Sequence, residues 1–263
     1  MKRNGIPFAV GVSILVIALI MAFFPSLFTD YGRKEMFSPW QHCSGEHVLG
    51  TNGLGYDIWT ELVYGAADTV KIGLSASFLA LAAGVVAGMI SSSEGAAGAV
   101  FSFLTNVFAL MPKLVILIVM SSFLGSSSGV LIILIAAFSW VGTARAVRGR
   151  MNYLSTAPFI ENARVLGYGR GYIMLHHYAR NLKDVLLSRF LTGVTSCIMM
   201  ESTLSFLGLG DLYHPTWGTM ISFAWKRGAM LRHAYNYLLT PGIAIALLSF
   251  GFYLVSLRFE KTL

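Results

Sequence analysis

The stretch TVKIGLSASFLALAAGVVAGMI, residues 69–90, decides what kind of chain this is. After Lys71 it has no charged residue, and it is long enough to cross a bilayer as a helix, which takes about 20 apolar residues. Small residues recur along it at helical spacing and favour close contact between membrane helices. They are Gly73, Ser77, Ala80, Gly84 and Gly88. We therefore expect a membrane-spanning helix that packs closely against its neighbours.

The composition of the whole chain agrees with this stretch. Of the 263 residues, 56% are hydrophobic and 12% are charged, and the mean hydropathy is +0.68, which is typical of membrane proteins. The net charge of +7 does not indicate nucleic-acid binding, because the basic residues lie in gaps between apolar runs and form no stripe on a polar domain. The chain is expected to contact the lipid bilayer and no nucleic acid.

Five more apolar runs are long enough to cross the membrane. With the first stretch, the six predicted spans are roughly residues 6–28, 69–90, 99–123, 130–147, 184–207 and 237–257. The expected fold class is therefore all-α, a polytopic membrane protein with six transmembrane helices.

Positively charged residues collect between the fourth and fifth spans, and such segments stay on the cytoplasmic side of a membrane. They are Arg145, Arg148, Arg150, Arg164, Arg170, Arg180, Lys183 and Arg189. An even number of spans then places both termini in the cytoplasm. Residues 30–68, a turn near residues 125–129 and residues 210–236 are expected outside.

Within the cytoplasmic gap, ENARVLGYGR (residues 161–170) predicts a short helix that ends in a break. Pro158 fits a first helical turn, and Glu161 suits the positive end of the helix macrodipole. Gly167 is the first of three glycines within five residues, so we expect it to take the left-handed conformation that ends many helices. The segment is either a surface helix that satisfies only its own backbone or a docking element.

Three motifs resemble those of a known family. The pattern E-x-A-x-x-x-G at Glu161, Ala163 and Gly167 resembles the EAA loop of ABC importer permeases. LSFLGLG at residues 204–210 and EHVLGTNGLGYDIWTELVYGA at residues 46–66 are similar to the signature and the external segment of the dipeptide, oligopeptide and nickel permeases. The motifs follow the family's order and spacing over most of the chain, which implies the ABC type I importer permease fold.

Some positions depart from the family pattern. Asn162 stands in the cytoplasmic motif where the family usually has alanine. Outside, Asn52 and Tyr56 stand where the family usually has aspartate and arginine, so a salt bridge between those two positions cannot form. The chain is therefore expected to be a divergent member.

The resemblance implies a division of labour between chains. The segment of about residues 151–181 would couple to an ATPase, and the residues that the resemblance assigns to this role are Glu161, Asn162, Ala163, Leu166 and Gly167. A chain that hydrolyses ATP in this way needs a P-loop, and no Gly-Lys pair occurs in the sequence. ATP and Mg²⁺ are therefore expected on two separate ATPase subunits, and no cofactor is expected on this chain.

The implied complex also contains a second homologous permease subunit and an extracellular or periplasmic substrate-binding protein. Within the present chain, residues 1–68 would form an anchor helix and an external loop, and residues 69–263 the core permease domain.

Candidate pathway residues lie in the third and fifth spans. Met111 precedes Pro112, which is expected to kink the third span. Met199, Met200 and Glu201 lie in the fifth. Because a carboxylate at that depth is costly, Glu201 is expected either to be hydrogen-bonded to a neighbouring helix and hold the two permease halves together, or to face the pathway and bind a cationic group of the substrate.

The segments expected outside the membrane contain an amphipathic stretch and a group of aromatic residues. Residues 55–66 are amphipathic, which predicts a helix lying on the outer surface, with Asp57 and Glu61 on its polar side. Tyr213, Trp217 and Trp225 fit an aromatic belt at the membrane surface.

The sequence thus predicts a multi-pass permease of the bacterial plasma (inner) membrane that takes up peptides by alternating access. Uptake of nickel or a metal chelate is the alternative within the family, although the six histidines have no convincing metal-site spacing. A membrane enzyme and a secondary transporter are alternatives from other classes. Neither is favoured, because no catalytic set converges and no internal repeat is evident.

Overall fold

A computed structural model describes residues 5–260, apart from the side chains of Arg170 and Leu175. The helices are α1 (Gly5–Phe23), α2 (Ile58–Ser91), α3 (Ala96–Leu110), α4 (Lys113–Leu124), α5 (Ser128–Ser155), α6 (Pro158–Val165), α7 (Arg170–Tyr172), α8 (Ala179–Leu204), α9 (Trp217–Lys226) and α10 (Tyr235–Glu260). Wider π-helical turns at Ile173–Tyr178 and Ser205–Leu209 flank α8. The predicted all-α fold is confirmed.

Helix α2 lies at the centre of the bundle, and its glycines explain how closely the neighbouring helices approach. A Cβ atom on Gly84 would lie 2.5 Å from Cβ of Thr143 on α5, and one on Gly88 would lie 2.7 Å from the backbone of α5. On another side of α2, a Cβ atom on Gly73 would lie 2.5 Å from Cγ1 of Ile198 on α8. The close packing predicted from the small residues of this helix is confirmed.

The bundle has two ends, which we call the α6 end and the α9 end after the short helices that they carry. Helix α2 begins at the α9 end, where Trp217 Nε1 donates a 2.7 Å hydrogen bond to the carbonyl of Leu62. It ends at the α6 end, where Ser92 Oγ lies 3.4 Å from Sδ of Met151 near the end of α5. Helices α1 and α10 pack together, and Arg258 lies 4.9 Å from the ring of Phe8.

The third predicted span is broken into two helices. α3 and α4 meet at an 86° bend at residues 111–112, because the proline there cannot continue the backbone hydrogen bonds of α3. α3 starts at the α6 end, where Ser102 Oγ donates to the carbonyl of Ser91. α4 leads to Ser128, whose backbone N–H and hydroxyl both donate to Asp211 at the α9 end. The pair therefore connects the two ends once, and residues 5–260 cross the bundle six times.

The prediction that residues 55–66 form a separate helix on the outer surface is wrong. These residues lead into α2, which begins at Ile58 with Asp57 as its N-cap. Ile58 and Val63 are 1% and 0% exposed, because the apolar side of the amphipathic pattern packs on protein instead of lipid. No proline lies between residues 58 and 91, so the helix continues into the span. The boundary predicted between residues 68 and 69 falls inside α2.

The ends of the other spans also differ from the prediction. α1 ends at Phe23, five residues early, because Pro25 holds Phe24 in a non-helical conformation at φ −128° and ψ 62°. α5, α8 and α10 extend past the apolar runs into polar sequence at the α6 end. These extensions need no apolar side chains, since the helices leave the hydrocarbon region there.

The segment after α8, which was predicted to be external, contains the helix α9, which was not predicted. Thr216 caps this helix by accepting a hydrogen bond from the backbone of Thr219. Trp217 is 1% exposed, and its ring lies against Gly65, where a Cβ atom would be 3.1 Å from Cδ1. Its placement in an aromatic belt is therefore wrong, because the glycine on α2 leaves room for the indole ring inside the bundle.

Candidate functional site

Helix α6 is defined at both ends by local sequence. Pro158 lies in its first turn, and a complete Schellman motif ends it. The backbone N–H of Tyr168 donates to the carbonyl of Ala163 at 3.1 Å, and that of Gly167 donates to Arg164 at 3.0 Å. Gly167 has φ +80°, so the left-handed conformation predicted for it is confirmed.

One face of α6 attaches it to the bundle. Ile160 and Ala163 are 0% and 4% exposed, and they belong to a buried cluster with Met151 and Leu154 of α5 and Leu182 of α8. Of the five residues predicted for coupling, Ala163 thus faces its own chain. A displacement of α6 would be transmitted through this cluster to both α5 and α8.

The opposite face of α6 points away from the bundle. Glu161, Asn162 and Gly167 are exposed there, as is Leu166 at 74%. Val165 is 82% exposed. This face therefore presents an acidic group and two large apolar side chains to whatever lies beside the α6 end.

The apolar part of this face extends beyond the predicted coupling residues. Tyr168 is 47% exposed and stacks on Tyr172 with ring centroids 4.6 Å apart. We call Val165, Leu166 and Tyr168 the α6 patch. Val165 and Tyr168 were not predicted from the sequence, although their large side chains, on either side of Leu166 and Gly167, could have indicated them.

All eight basic residues of the predicted cytoplasmic gap lie in helices, most of them at the α6 end, but two lie deeper within the long helices. Arg145 is inside α5, and its Nη2 donates a 3.2 Å hydrogen bond to Asn106 of α3. Arg189 is inside α8 and lines a cavity in the bundle. The segment between the fourth and fifth spans is shorter than predicted, because α5 and α8 both extend towards α6.

That cavity lies between α2, α4, α5 and α8 and has a volume of about 210 Å³. Its lining is polar for a membrane bundle. Five hydroxyl side chains contribute to it, namely Ser77, Ser139, Thr143, Thr192 and Ser196. Lys113 and Arg189 supply two positive charges, and Met200 also lines it. A cavity of this kind at the centre of a membrane bundle can hold water and polar groups.

The predicted pathway residues are not all brought together. Met200 lines the cavity, and its Sδ lies 3.8 Å from Oγ of Ser139. Met199 is 50% exposed on the surface of α8. Met111 is half-buried at the bend between α3 and α4, beside an apolar cluster. Their proposed role in the pathway stays a prediction, with Met200 in the best position for it.

Glu201 is 1% exposed and lies away from the cavity lining. Its Oε1 accepts hydrogen bonds from Ser205 Oγ at 2.6 Å and from Thr216 Oγ1 at 2.7 Å. Since Thr216 is the N-cap of α9, the carboxyl group joins α8 to the start of α9. This geometry favours the structural alternative for Glu201 over recognition of the substrate.

A polar stripe along α8 was missed in the sequence. Its members follow each other at intervals of three and four residues and so lie on one helix face. The polar members are Arg189, Thr192, Ser196 and Thr203, and the apolar Met199 lies between the last two. All are at least partly exposed, although this face belongs to a membrane helix. A polar face of this kind is expected beside another subunit or an aqueous path, because lipid would not solvate it.

At the α9 end, the external motif is bound to two helices by a buried polar network. Asn52 is 0% exposed, and its Nδ2 donates to Oε2 of Glu61 at 2.7 Å and to the hydroxyl of Tyr237 at 3.4 Å. Asp57 and His47 are both 3% exposed, with Oδ1 and Nδ1 3.0 Å apart. Asp57 and Glu61 thus hold the segment before α2 against α2 and α10; Glu61 lies in α2, and Asp57 is the N-cap of that helix.

The sequence matches a family model described as "Binding-protein-dependent transport system inner membrane component" over residues 80–263. That range includes α3 to α10 and the last part of α2, from residue 80 to residue 91.

Individual relatives extend the similarity towards the N-terminus. The chain is 29% identical over 259 residues to "Dipeptide transport system permease protein DppC" of Alkalihalophilus pseudofirmus, covering 97% of this chain and 84% of that protein. It is 29% identical over 217 residues to "Oligopeptide transport system permease protein OppC" of Bacillus subtilis, covering 81% and 71%. OppC of Haemophilus influenzae is 29% identical over 212 residues, covering 80% and 68%.

Proposed function

Because its residues 80–263 match that model, the chain belongs to the family of binding-protein-dependent transport system inner membrane components, and we propose that it is the permease subunit of an ABC importer of di- or oligopeptides. The peptide substrate is proposed because these three relatives, which align over at least 80% of this chain, have oligopeptide or dipeptide in their names.

The α6 patch is the observation that carries this proposal. α6 is seated on α5 and α8 by Ile160 and Ala163, capped by Gly167, and apolar on its outer face at Val165 and Leu166. An exposed apolar patch on a fixed helix suits a groove on a partner protein. The patch therefore supports docking on an ATPase, with Glu161 and Asn162 at its polar edge.

Hydrolysis of ATP is assigned to other chains. The sequence contains no P-loop, so ATP and Mg²⁺ would bind to two ATPase subunits. A second homologous permease subunit would cover the polar stripe of α8, and a substrate-binding protein would deliver the peptide at the α9 end.

The attachment of α6 to α5 and α8 provides a route by which ATP binding would drive transport. When the two ATPases close on ATP, they would displace α6 by its patch, and the cluster around Ile160 would pass this motion to α5 and α8. Both helices line the cavity at the centre of the bundle. Their movement would open that cavity alternately towards the α9 end and the α6 end.

The protein would lie in the bacterial plasma (inner) membrane with its α6 end in the cytoplasm, which the basic residues around α6 support. Both termini would then be cytoplasmic; Lys2, Arg3 and Lys261 lie outside the described residues.

A labelling experiment checks this orientation. The chain has two cysteines, of which Cys43 is exposed near the α9 end and Cys197 is buried. In right-side-out vesicles, a membrane-impermeant maleimide should label Cys43. In a Cys43→Ser background, and in vesicles from cells that lack the ATPase subunits so that the α6 patch is uncovered, a cysteine introduced at Tyr168 should react only after the vesicles are permeabilised. The opposite pattern would show that the orientation is reversed.

Reconstitution checks the function itself. The chain, purified with its second permease subunit and ATPases, should import di- or oligopeptides into proteoliposomes when ATP and the loaded binding protein are both supplied. Omitting either one should reduce uptake to the level of leakage. Import of Ni²⁺ or a metal chelate with no import of peptides would favour the alternative substrate class. Peptide uptake driven by an ion gradient without ATP would contradict an ABC importer.

A further inference from the structure

The central cavity contains two positive charges that come from different parts of the bundle. Lys113 begins α4, directly after the 86° bend, and Arg189 projects from α8. The Arg189 side chain reaches across to α5, where its Nη1 lies 3.9 Å from the position of a Cβ atom on Gly142. The guanidinium group therefore lies beside Gly142 of α5, and both residues line the cavity.

Neither charge is neutralised by the part of the chain that the structure describes. Within residues 5–260, no carboxylate oxygen lies within 4.0 Å of the Lys113 ammonium or of the Arg189 guanidinium, and no acidic side chain lines the cavity. Cations in the interior of a membrane protein are rare, and most pair with an anion or face water. Two of them beside one cavity indicate that a negative group enters it.

The other lining residues suit the same kind of group. Hydroxyls such as Ser139, Thr192 and Ser196 can donate hydrogen bonds to carboxylate oxygens. The two positive charges would repel a free metal cation. Arg189 and Ser196 are exposed, so the cavity communicates with the polar face of α8.

We propose that Lys113 and Arg189 form a site for the C-terminal carboxylate of a peptide in transit. The C-terminus is present on every linear peptide whatever its side chains, so a site for it would accept many sequences. An arginine can bind both carboxylate oxygens, whereas a lysine adds a point charge. This inference rests on the proposed peptide import and specifies the part of the peptide that the permease recognises.

The test uses the whole reconstituted complex with two matched substrates, a peptide with a free C-terminus and the same peptide as its C-terminal amide. The sequence is chosen so that the binding protein binds both forms, and both are supplied at saturating concentration. The neutral variant combines Lys113→Gln with Arg189→Gln. The control combines Lys113→Arg with Arg189→Lys and so keeps both charges.

The neutral variant should import the free acid roughly tenfold more slowly than the parent, since a hydrogen bond to a charged group is typically worth about that factor. Uptake of the amide should change less than twofold, and the charge-keeping control should retain preference for the free acid. The amount of complex recovered should equal that of the parent.

Equal losses for the two peptides, or unchanged uptake of both, would overturn the proposal. A fall in the yield of assembled complex would also overturn it, because it would mean that the two cations pair with an acidic residue of the second permease subunit. If the parent complex itself imported no peptide, the proposed function would fail instead.

Discussion

Replacing Leu166 with aspartate is expected to abolish peptide import while leaving the six spans inserted in the membrane. Leu166 is the C-cap residue of α6 and is 74% exposed, so the change removes no packing within this chain. In the assembled importer, however, the α6 patch would be buried in a groove of the ATPase. An unpaired carboxylate there costs several kcal/mol, and it also lies at the negative end of the α6 dipole.

The readout is ATP hydrolysis stimulated by the loaded binding protein, measured together with co-purification of the ATPases. Both should fall to near the background level for Leu166→Asp, whereas Leu166→Met, which keeps the patch apolar, should behave like the parent. If Leu166→Asp coupled hydrolysis to import normally, α6 would not be the docking element.

Gly167→Val tests whether the α6 patch must be held in its present position, because it leaves the side chains of the patch unchanged. A Cβ atom at Gly167 would meet nothing within 4 Å, so the substitution acts only through the left-handed backbone, at a cost of roughly 1–2 kcal/mol or more for a branched residue. This variant should also lose coupled hydrolysis, but less completely than Leu166→Asp.

Replacing Gly84 with leucine is expected to lower the yield of folded protein severalfold, because overpacking costs roughly 1–3 kcal/mol or more and a loss of about 1–2 kcal/mol already changes protein abundance several-fold. The new Cβ atom would lie 2.5 Å from Cβ of Thr143 and 2.7 Å from the carbonyl oxygen of Trp140. The carbonyl belongs to the backbone of α5, so no side-chain rotation can remove the clash.

Gly149→Leu is the matched control for this prediction. It places the same side chain inside α5, at an exposed position where a Cβ atom would meet nothing within 4 Å. Helix propensity favours leucine over glycine at both sites by nearly 1 kcal/mol, so a difference between the variants reports packing. The measurement is the yield of monodisperse protein after detergent extraction. Equal yields would show that α2 and α5 need not approach this closely.

The sequence by itself determined the features that depend on residues close together in the chain. Long apolar runs require membrane-spanning helices, because only a helix satisfies its own backbone hydrogen bonds in lipid. Pro158 and Gly167 mark the ends of α6 within one short segment, and their conformations could be predicted from local rules. The small residues of α2 likewise indicated where another helix would approach, although not which helix.

Only the tertiary structure decided the features that depend on residues far apart in the chain. The start of α2 was missed because its amphipathic pattern fits a lipid surface as well as it fits α9, and tertiary contacts such as that between Trp217 and Leu62 distinguish the two. The hydrogen bonds of Glu201 come partly from Thr216, beyond the end of α8, so its burial could not be read from its own span. Lys113 and Arg189 are 76 positions apart (189 − 113), and the fold alone brings them to one cavity. The apolar periodicity of a helix predicts which of its faces avoids water. The packing of the helices in the folded protein determines whether lipid or another helix contacts that face.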